Sequence, residues 1–131
     1  MDYSKHNIVG LIERVRIFGA KKDCYEIARI DTGATKSSID TSLAAELGVG
    51  PITKTKLVKS ASGKSIRPVV DVKVRIGKKN YHGEFTVADR SHMRYRVLIG
   101  QNILTQGFLV DPQRSFREYK KDGMVSKSRR E

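Results

Sequence analysis

A period of two dominates the chain. In Val70-Asp71-Val72-Lys73-Val74-Arg75-Ile76 every second residue is β-branched and the alternate ones are charged, the pattern of a strand with one face buried and one in water. Gly77-Lys78-Lys79-Asn80 then predicts a hairpin turn, with Tyr81, Gly83, Phe85 and Val87 carrying the returning strand. Upstream, Leu11, Val15 and Ile17 predict one strand and Tyr25 to Ile30 a second that runs into Asp31. Further strands are predicted at Thr55 to Ser60, Val97 to Ile99, Phe108 to Val110 and Ser115 to Tyr119.

Helical periodicity is confined to two places. Asp40 or Thr41 can cap Ser42 to Leu47, where Leu43 and Leu47 share a face and Gly48 supplies the stop. A second short turn follows Gly100, through Asn102 to Gln106. Many short strands with so little helix predict an all-β barrel or sandwich, and no period of 20 to 50 residues points to a solenoid.

Composition narrows this further. The 131 residues, 38% of them hydrophobic, suit one compact domain. A single cysteine, Cys24, excludes an intramolecular disulfide and an all-cysteine metal site. Twenty-six Lys and Arg against 14 Asp and Glu give a formal net charge of +12. The stretch from Gln113 to Glu131 holds seven of those cations and three of the acids, so +8 remains on residues 1 to 112 and the body of the domain is itself basic. Such a surface attracts something negative: nucleic acid, an anionic surface or an acidic substrate. The apolar run Ile8 to Ile12 is closed by Glu13, far short of the roughly 20 residues of a membrane span. A cytoplasmic protein with no membrane partner is expected.

Candidate chemistry sits in Ile30-Asp31-Thr32-Gly33-Ala34-Thr35, where a carboxylate at the end of an apolar strand is followed by a glycine that permits a tight turn. Val97-Leu98-Ile99-Gly100-Gln101-Asn102 is a second apolar run ending in glycine and a polar pair, 67 residues beyond Gly33, with a glycine-containing hairpin between them. Asp-Thr-Gly-Ala, a hairpin, then two hydrophobic residues and glycine before a short helix resembles the retropepsin family of aspartic proteases. Ala28 to Ser38, Asp89-Arg90-Ser91 through Tyr95, and Phe108-Leu109-Val110-Asp111-Pro112 resemble its cellular branch, whose members have often been labelled ATP-dependent zinc proteases. The resemblance runs from about Val9 to Phe116.

It implies a closed barrel with a flap hairpin and one or two short helices over residues 1–116, and the Lys- and Arg-rich composition beyond it predicts a flexible basic segment at 117–131. No cofactor is expected from the residues. The chain has no phosphate-binding loop and no His-Glu-x-x-His, and His6, His82 and His92 lack metal-ligand spacing, so neither ATP nor zinc is expected.

Two carboxylates held close together cannot both ionise; one then acts as a general base on water while the other, protonated, polarises the scissile carbonyl. With one Asp-Thr-Gly per chain, the dyad implied by the resemblance requires a twofold homodimer with Asp31 from each subunit at the axis. Thr32 matches the family's threonine that locks the two loops together, and Gly33 brings backbone close to substrate. Ala34 offers no hydroxyl to stabilise the ionised dyad, which implies activity extending toward neutral pH. Retroviral enzymes carry an Asp and an Arg, forming an ion pair, where this chain has Thr35 and Gln101; both charges are absent together.

Residues two apart on a strand share a face, so Arg29 is expected on the side of Asp31, where a guanidinium favours an acidic side chain beside the cleaved bond. The candidate flap, Leu57 to Pro68, adds Lys59, Lys64 and Arg67 around a tip at Ser62 and Gly63. With Ile99 and Gly100 these complete the expected substrate-binding set. An acidic, glutamate-rich peptide is the expected substrate, since bacterial relatives look like partners of ligases that add glutamate tails to ribosomal proteins. Two other readings remain at this stage. One is a basic barrel gripping nucleic acid through phosphates, disfavoured by the absence of a zinc finger, a helix-turn-helix or an aromatic RNA-binding motif; the other is a catalytically silent interaction domain of the same fold.

Overall fold

The computed structural model describes residues 2–61 and 63–114. The expected strand at 115–119 and the basic segment 117–131 lie outside the described residues, as does Ser62.

Among the described residues nine strands and two helices follow in the order β1 (Asn7–Val9), β2 (Ile12–Phe18), β3 (Cys24–Ile30), β4 (Ser37–Asp40), α1 (Thr41–Leu47), β5 (Ile52–Ser60), β6 (Gly63–Ile76), β7 (Lys79–Ala88), β8 (Val97–Ile99), α2 (Gln101–Leu104) and β9 (Phe108–Val110). Hydrogen bonding runs β2-β3-β8-β4-β7-β6 and returns to β2, closing a six-stranded barrel, while β5 hangs on β6. Closure removes the sheet edges that a flat sheet would expose.

Alternation builds the wall. Val70, Val72, Val74 and Ile76 of β6 point inward with Val15 and Ile17 of β2, Ala28 and Ile30 of β3, and Phe85 of β7, all buried in one core. Burying each such side chain contributes about 1.5–3 kcal/mol. The helix α1 closes one side, with Leu43 and Leu47 buried. It starts at Asp40, whose side chain accepts from the Ser42 and Leu43 amides, and stops at Gly48, which takes a left-handed φ of 70°. Among the described residues no helix is long and apolar enough to cross a membrane.

Several boundaries differ from expectation. Leu11 lies outside β2 and is exposed, its carbonyl accepting from the Ile30 amide. The turn after β6 shrinks to Gly77-Lys78, because Ile76 and Lys79 already pair. Two strands go unseen in the sequence. β1 pairs in parallel with β9, and β4 slots between β7 and β8.

Candidate active site

The turn that follows β3 is held by backbone bonds before any side chain acts. The Asp31 amide donates to the Ile99 carbonyl at 2.9 Å, and the Ala34 amide donates to the Asp31 carbonyl at 3.2 Å. The Gly33 amide donates to Asp31 Oδ1 at 3.0 Å. Asp31 itself is half-buried. Its carboxylate is therefore oriented by its own loop and still open to solvent on the remaining lone pairs.

The segment from Ile99 to Asn102 clamps this loop from the other side. Amides of Gln101 and Asn102, at the start of α2, donate to the Ala34 and Thr35 carbonyls at 2.8 and 3.2 Å. Gln101 Nε2 donates to the Thr32 carbonyl at 2.7 Å, a neutral tie across the two loops. At Gly100 a β-carbon would fall 2.3 Å from the Lys36 carbonyl oxygen and 2.8 Å from that of Ala34, so only glycine allows the segments to approach this closely. Beneath them Ser37, buried, donates its hydroxyl to Asn102 Oδ1 at 2.8 Å and accepts from the Gly100 amide at 3.0 Å. Asn102 Nδ2 in turn donates to the Glu84 carbonyl.

Gly33 differs from Gly100. Its φ is not positive, and a β-carbon would meet only Asp31 Oδ1, at an ordinary 3.4 Å. Among the described residues nothing demands glycine there.

The expected binding residues separate into groups. Arg29 is exposed and Ile30 buried, and the β3–β8 register runs unbroken through Ala28↔Val97, Arg29↔Leu98 and Ile30↔Ile99, so no bulge disturbs the alternation leading to Asp31. In the β5–β6 hairpin Lys59 pairs with Lys64 and Leu57 with Ile66, on the face that β6 continues into the barrel interior; Leu57 and Ile66 are exposed. Arg67 pairs with Lys56 on the opposite face, away from Lys59 and Lys64, which splits the flap cations that the sequence grouped together. Gly63 is at the tip with φ 120°. Ile99 is fully buried, so it fills the core and anchors Asp31 through its carbonyl rather than lining a cleft. Gly100 likewise positions the loop. Thr32 is exposed beside Asp31.

Three supporting residues went unassigned at the sequence level. Ser37 and Asn102 form the internal brace. The half-buried Arg90 has its guanidinium pKa lowered by burial, with the charges of Asp40 and Asp31 opposing the fall, which places it within electrostatic reach of Asp31. Its Nε donates to the Tyr95 carbonyl at 3.0 Å and its amide to Asp40 Oδ1 at 2.7 Å. At the base of the flap, Glu84 Oε1 accepts from Lys36 at 3.4 Å and lies 3.3 Å from Lys54 Nζ, linking the Asp31 loop to β5. Hydrogen bonding to Lys54 is the main cause that lowers the Glu84 pKa. Among the described residues no three His, Cys, Asp or Glu side chains converge as a metal site requires.

Comparison with known proteins agrees with this architecture. The model of the RimB-like family, described as retropepsin-like aspartic endopeptidase RimB, matches residues 45–121, a stretch that begins after Asp31 and takes in the flap, Gly100 and α2. Among solved structures, Lpg0085 of Legionella pneumophila, a DUF785 protein of unknown function, superposes with a TM-score of 0.60 at 21% identity, covering 84% of this chain and 96% of that one. The simian foamy virus (mac) protease superposes with a TM-score of 0.55 at 16% identity, covering 72% and 91%. No curated protein matches the sequence.

Proposed function

From the premise that the chain belongs to the RimB-like family of retropepsin-like aspartic endopeptidases, we propose that it works as a homodimer whose Asp31 carboxylates, one from each subunit, share a proton and hydrolyse acidic, glutamate-rich peptides in the cytoplasm. The observation that carries this is Asp31: one carboxylate per chain on an Asp-Thr-Gly turn, fixed by two backbone hydrogen bonds and by the Gly33 amide donating to its carboxylate, and open on one side.

Placed at a twofold axis, the pair ionises once. The charged carboxylate takes a proton from water as the water oxygen bonds to the peptide carbonyl carbon, and the protonated partner gives its proton to the carbonyl oxygen. The resulting gem-diol collapses as one of its hydroxyls returns a proton to the charged carboxylate, the C–N bond breaks and the leaving nitrogen takes the proton of the other carboxyl, so the dyad again holds one shared proton. Thr32 locks the paired loops. The freedom around Gly33 fits a position kept bare for something that arrives from outside the chain, a substrate or the second subunit. Ala34 leaves the ionised dyad without a hydroxyl donor, which extends activity toward neutral pH.

Acid preference is supported by Arg29, exposed and two residues from Asp31 on a regular strand, and by Lys59 and Lys64 on the flap face that continues into the barrel interior. The test compares wild type and Asp31→Asn on a peptide library containing oligo-glutamate, across pH, with cleavage read by mass spectrometry. Cuts between acidic residues by wild type alone are expected. Cuts at apolar sites would remove Arg29 from the specificity pocket, and equal cutting by both proteins would remove Asp31 from the chemistry.

A further inference from the structure

The outer wall formed by β2, β3 and β6 carries a charge arrangement that folding alone does not favour. Arg16 and Arg75 are directly opposite one another across the β2–β6 ladder, and Phe18 faces Lys73 beside them. Like charges in that position destabilise a sheet. Asp23 offsets Arg16 with an ion pair at 2.9 Å, but Arg75 directs Nη1 to the neutral Asn80 Oδ1 at 3.2 Å. Next to this pair lies a cleft of about 800 Å³ whose rim includes Lys5, Arg14, Lys78 and Lys79. Among the described residues that line it, Glu13 is the one carboxylate.

This wall is continuous with the candidate active site. With Ala28 and Ile30 buried, Tyr25, Ile27 and Arg29 form the outer row of β3, and their register partners on β2 are Arg16, Arg14 and Ile12. Asp31 is six positions beyond Tyr25, about 20 Å of extended chain at roughly 3.3 Å per residue. Cations thus follow the strand from the cleft to Arg29.

We propose that this face is an exosite for the distal part of an acidic polypeptide whose proximal part occupies the Asp31 site. The inference rests on the acidic-substrate reading above and adds a second site to it. An anion supplied by the ligand would relieve the Arg16–Arg75 repulsion, so the cost to the free protein is recovered on binding. A polypeptide fits better than a nucleic acid because cations already stack on the aromatic rings of this face, even though Tyr25 remains 55% exposed. Arg14 lies 4.2 Å from the Tyr25 ring centroid and Arg16 lies 4.8 Å from that of Phe18, so a base stacking there would compete with a guanidinium for the ring.

The experiment uses full-length Asp31→Asn, which binds without turnover, and measures fluorescence anisotropy with labelled glutamate peptides of about four and about 12 residues and a 12-nucleotide RNA; the longer peptide is sized to span both sites. The longer peptide is expected to bind more tightly than the shorter, and adding Arg75→Gln and Lys78→Gln should reduce its affinity about tenfold and erase that advantage. Raised salt should weaken it similarly by screening. Thermal unfolding of the triple variant should occur no lower than that of Asp31→Asn, since a repulsive pair is removed, which separates lost binding from lost folding. Equal affinity for the two peptides, or a longer-peptide affinity indifferent to the substitutions, overturns the exosite. RNA bound more tightly than the longer peptide, and released by the same substitutions, overturns it in favour of a nucleic-acid face. If wild type cleaves neither peptide while the length-dependent, cleft-dependent binding persists, the exosite stands and the catalytic reading fails.

Discussion

Gly100 shows how little space the Asp31 loop leaves around itself. A methyl group there would overlap the Lys36 carbonyl, and backbone, unlike a long side chain, cannot swing aside. Gly100→Ala should lower stability by about 1–3 kcal/mol in denaturant unfolding and reduce turnover by displacing the loop. Cys24 gives a separate check: burial, reinforced by the charge of Glu26, raises its thiol pKa, so little thiolate forms near neutrality. Its alkylation by iodoacetamide at pH 8 should run slower than that of a free cysteine; a rate equal to the free thiol would contradict this placement. Asp31 is legible in the sequence because a short local pattern, strand then Asp-Thr-Gly, fixes both its position and its turn. Ser37 and Arg90 are not, since each acquires its role from partners up to 65 residues away, through Asn102, or from another part of the fold, through Asp40 and Asp31. Charge alone groups Arg67 with Lys59 and Lys64, whereas the pairing of β5 with β6 fixes the face.

Elements follow the same division between local and distant causes. The β6–β7 hairpin is readable because its alternation is long and its turn is local. α1 is readable because its cap, its apolar face and its glycine stop all lie within nine residues, Asp40 to Gly48. β1 and β4 are three and four residues long and owe their strand form to distant partners, β9 in the first case and β7 and β8 in the second. Asp40 joins two elements, capping α1 and accepting from the Arg90 amide while almost fully buried. Asp40→Ala should therefore cost about 2 kcal/mol, with Asp40→Asn milder, in thermal or denaturant unfolding. Glu84 ties β5 to the Asp31 loop through Lys54 and Lys36. Its pKa is lowered in the fold, so the stabilising effect is complete above the ordinary glutamate range, about 4.3, and is lost as pH falls through the lower folded value. Amide exchange in β5, corrected for intrinsic pH dependence, should accelerate in that acid window for wild type and already at neutral pH for Glu84→Gln.

At the scale of the whole molecule, a six-stranded barrel with one hairpin extending from it presents a single candidate catalytic carboxylate on a braced turn. The barrel was within reach of the sequence because alternation plus scarce helix leaves few architectures, and the resemblance selected one. Closure through β2 and β6 was not, as it depends on a pairing across more than fifty residues. The central claim is that two chains make one site. Titrating a fixed amount of wild type with an equal amount of Asp31→Asn, after subunit exchange at a concentration where all chains are paired, measures this directly in the rate of cleavage of an oligo-glutamate peptide. A dyad shared between subunits predicts a fall to about one half, because random pairing leaves about a quarter of the dimers fully wild type. A rate unchanged by the added variant would mean that each chain acts alone, and would contradict the shared dyad.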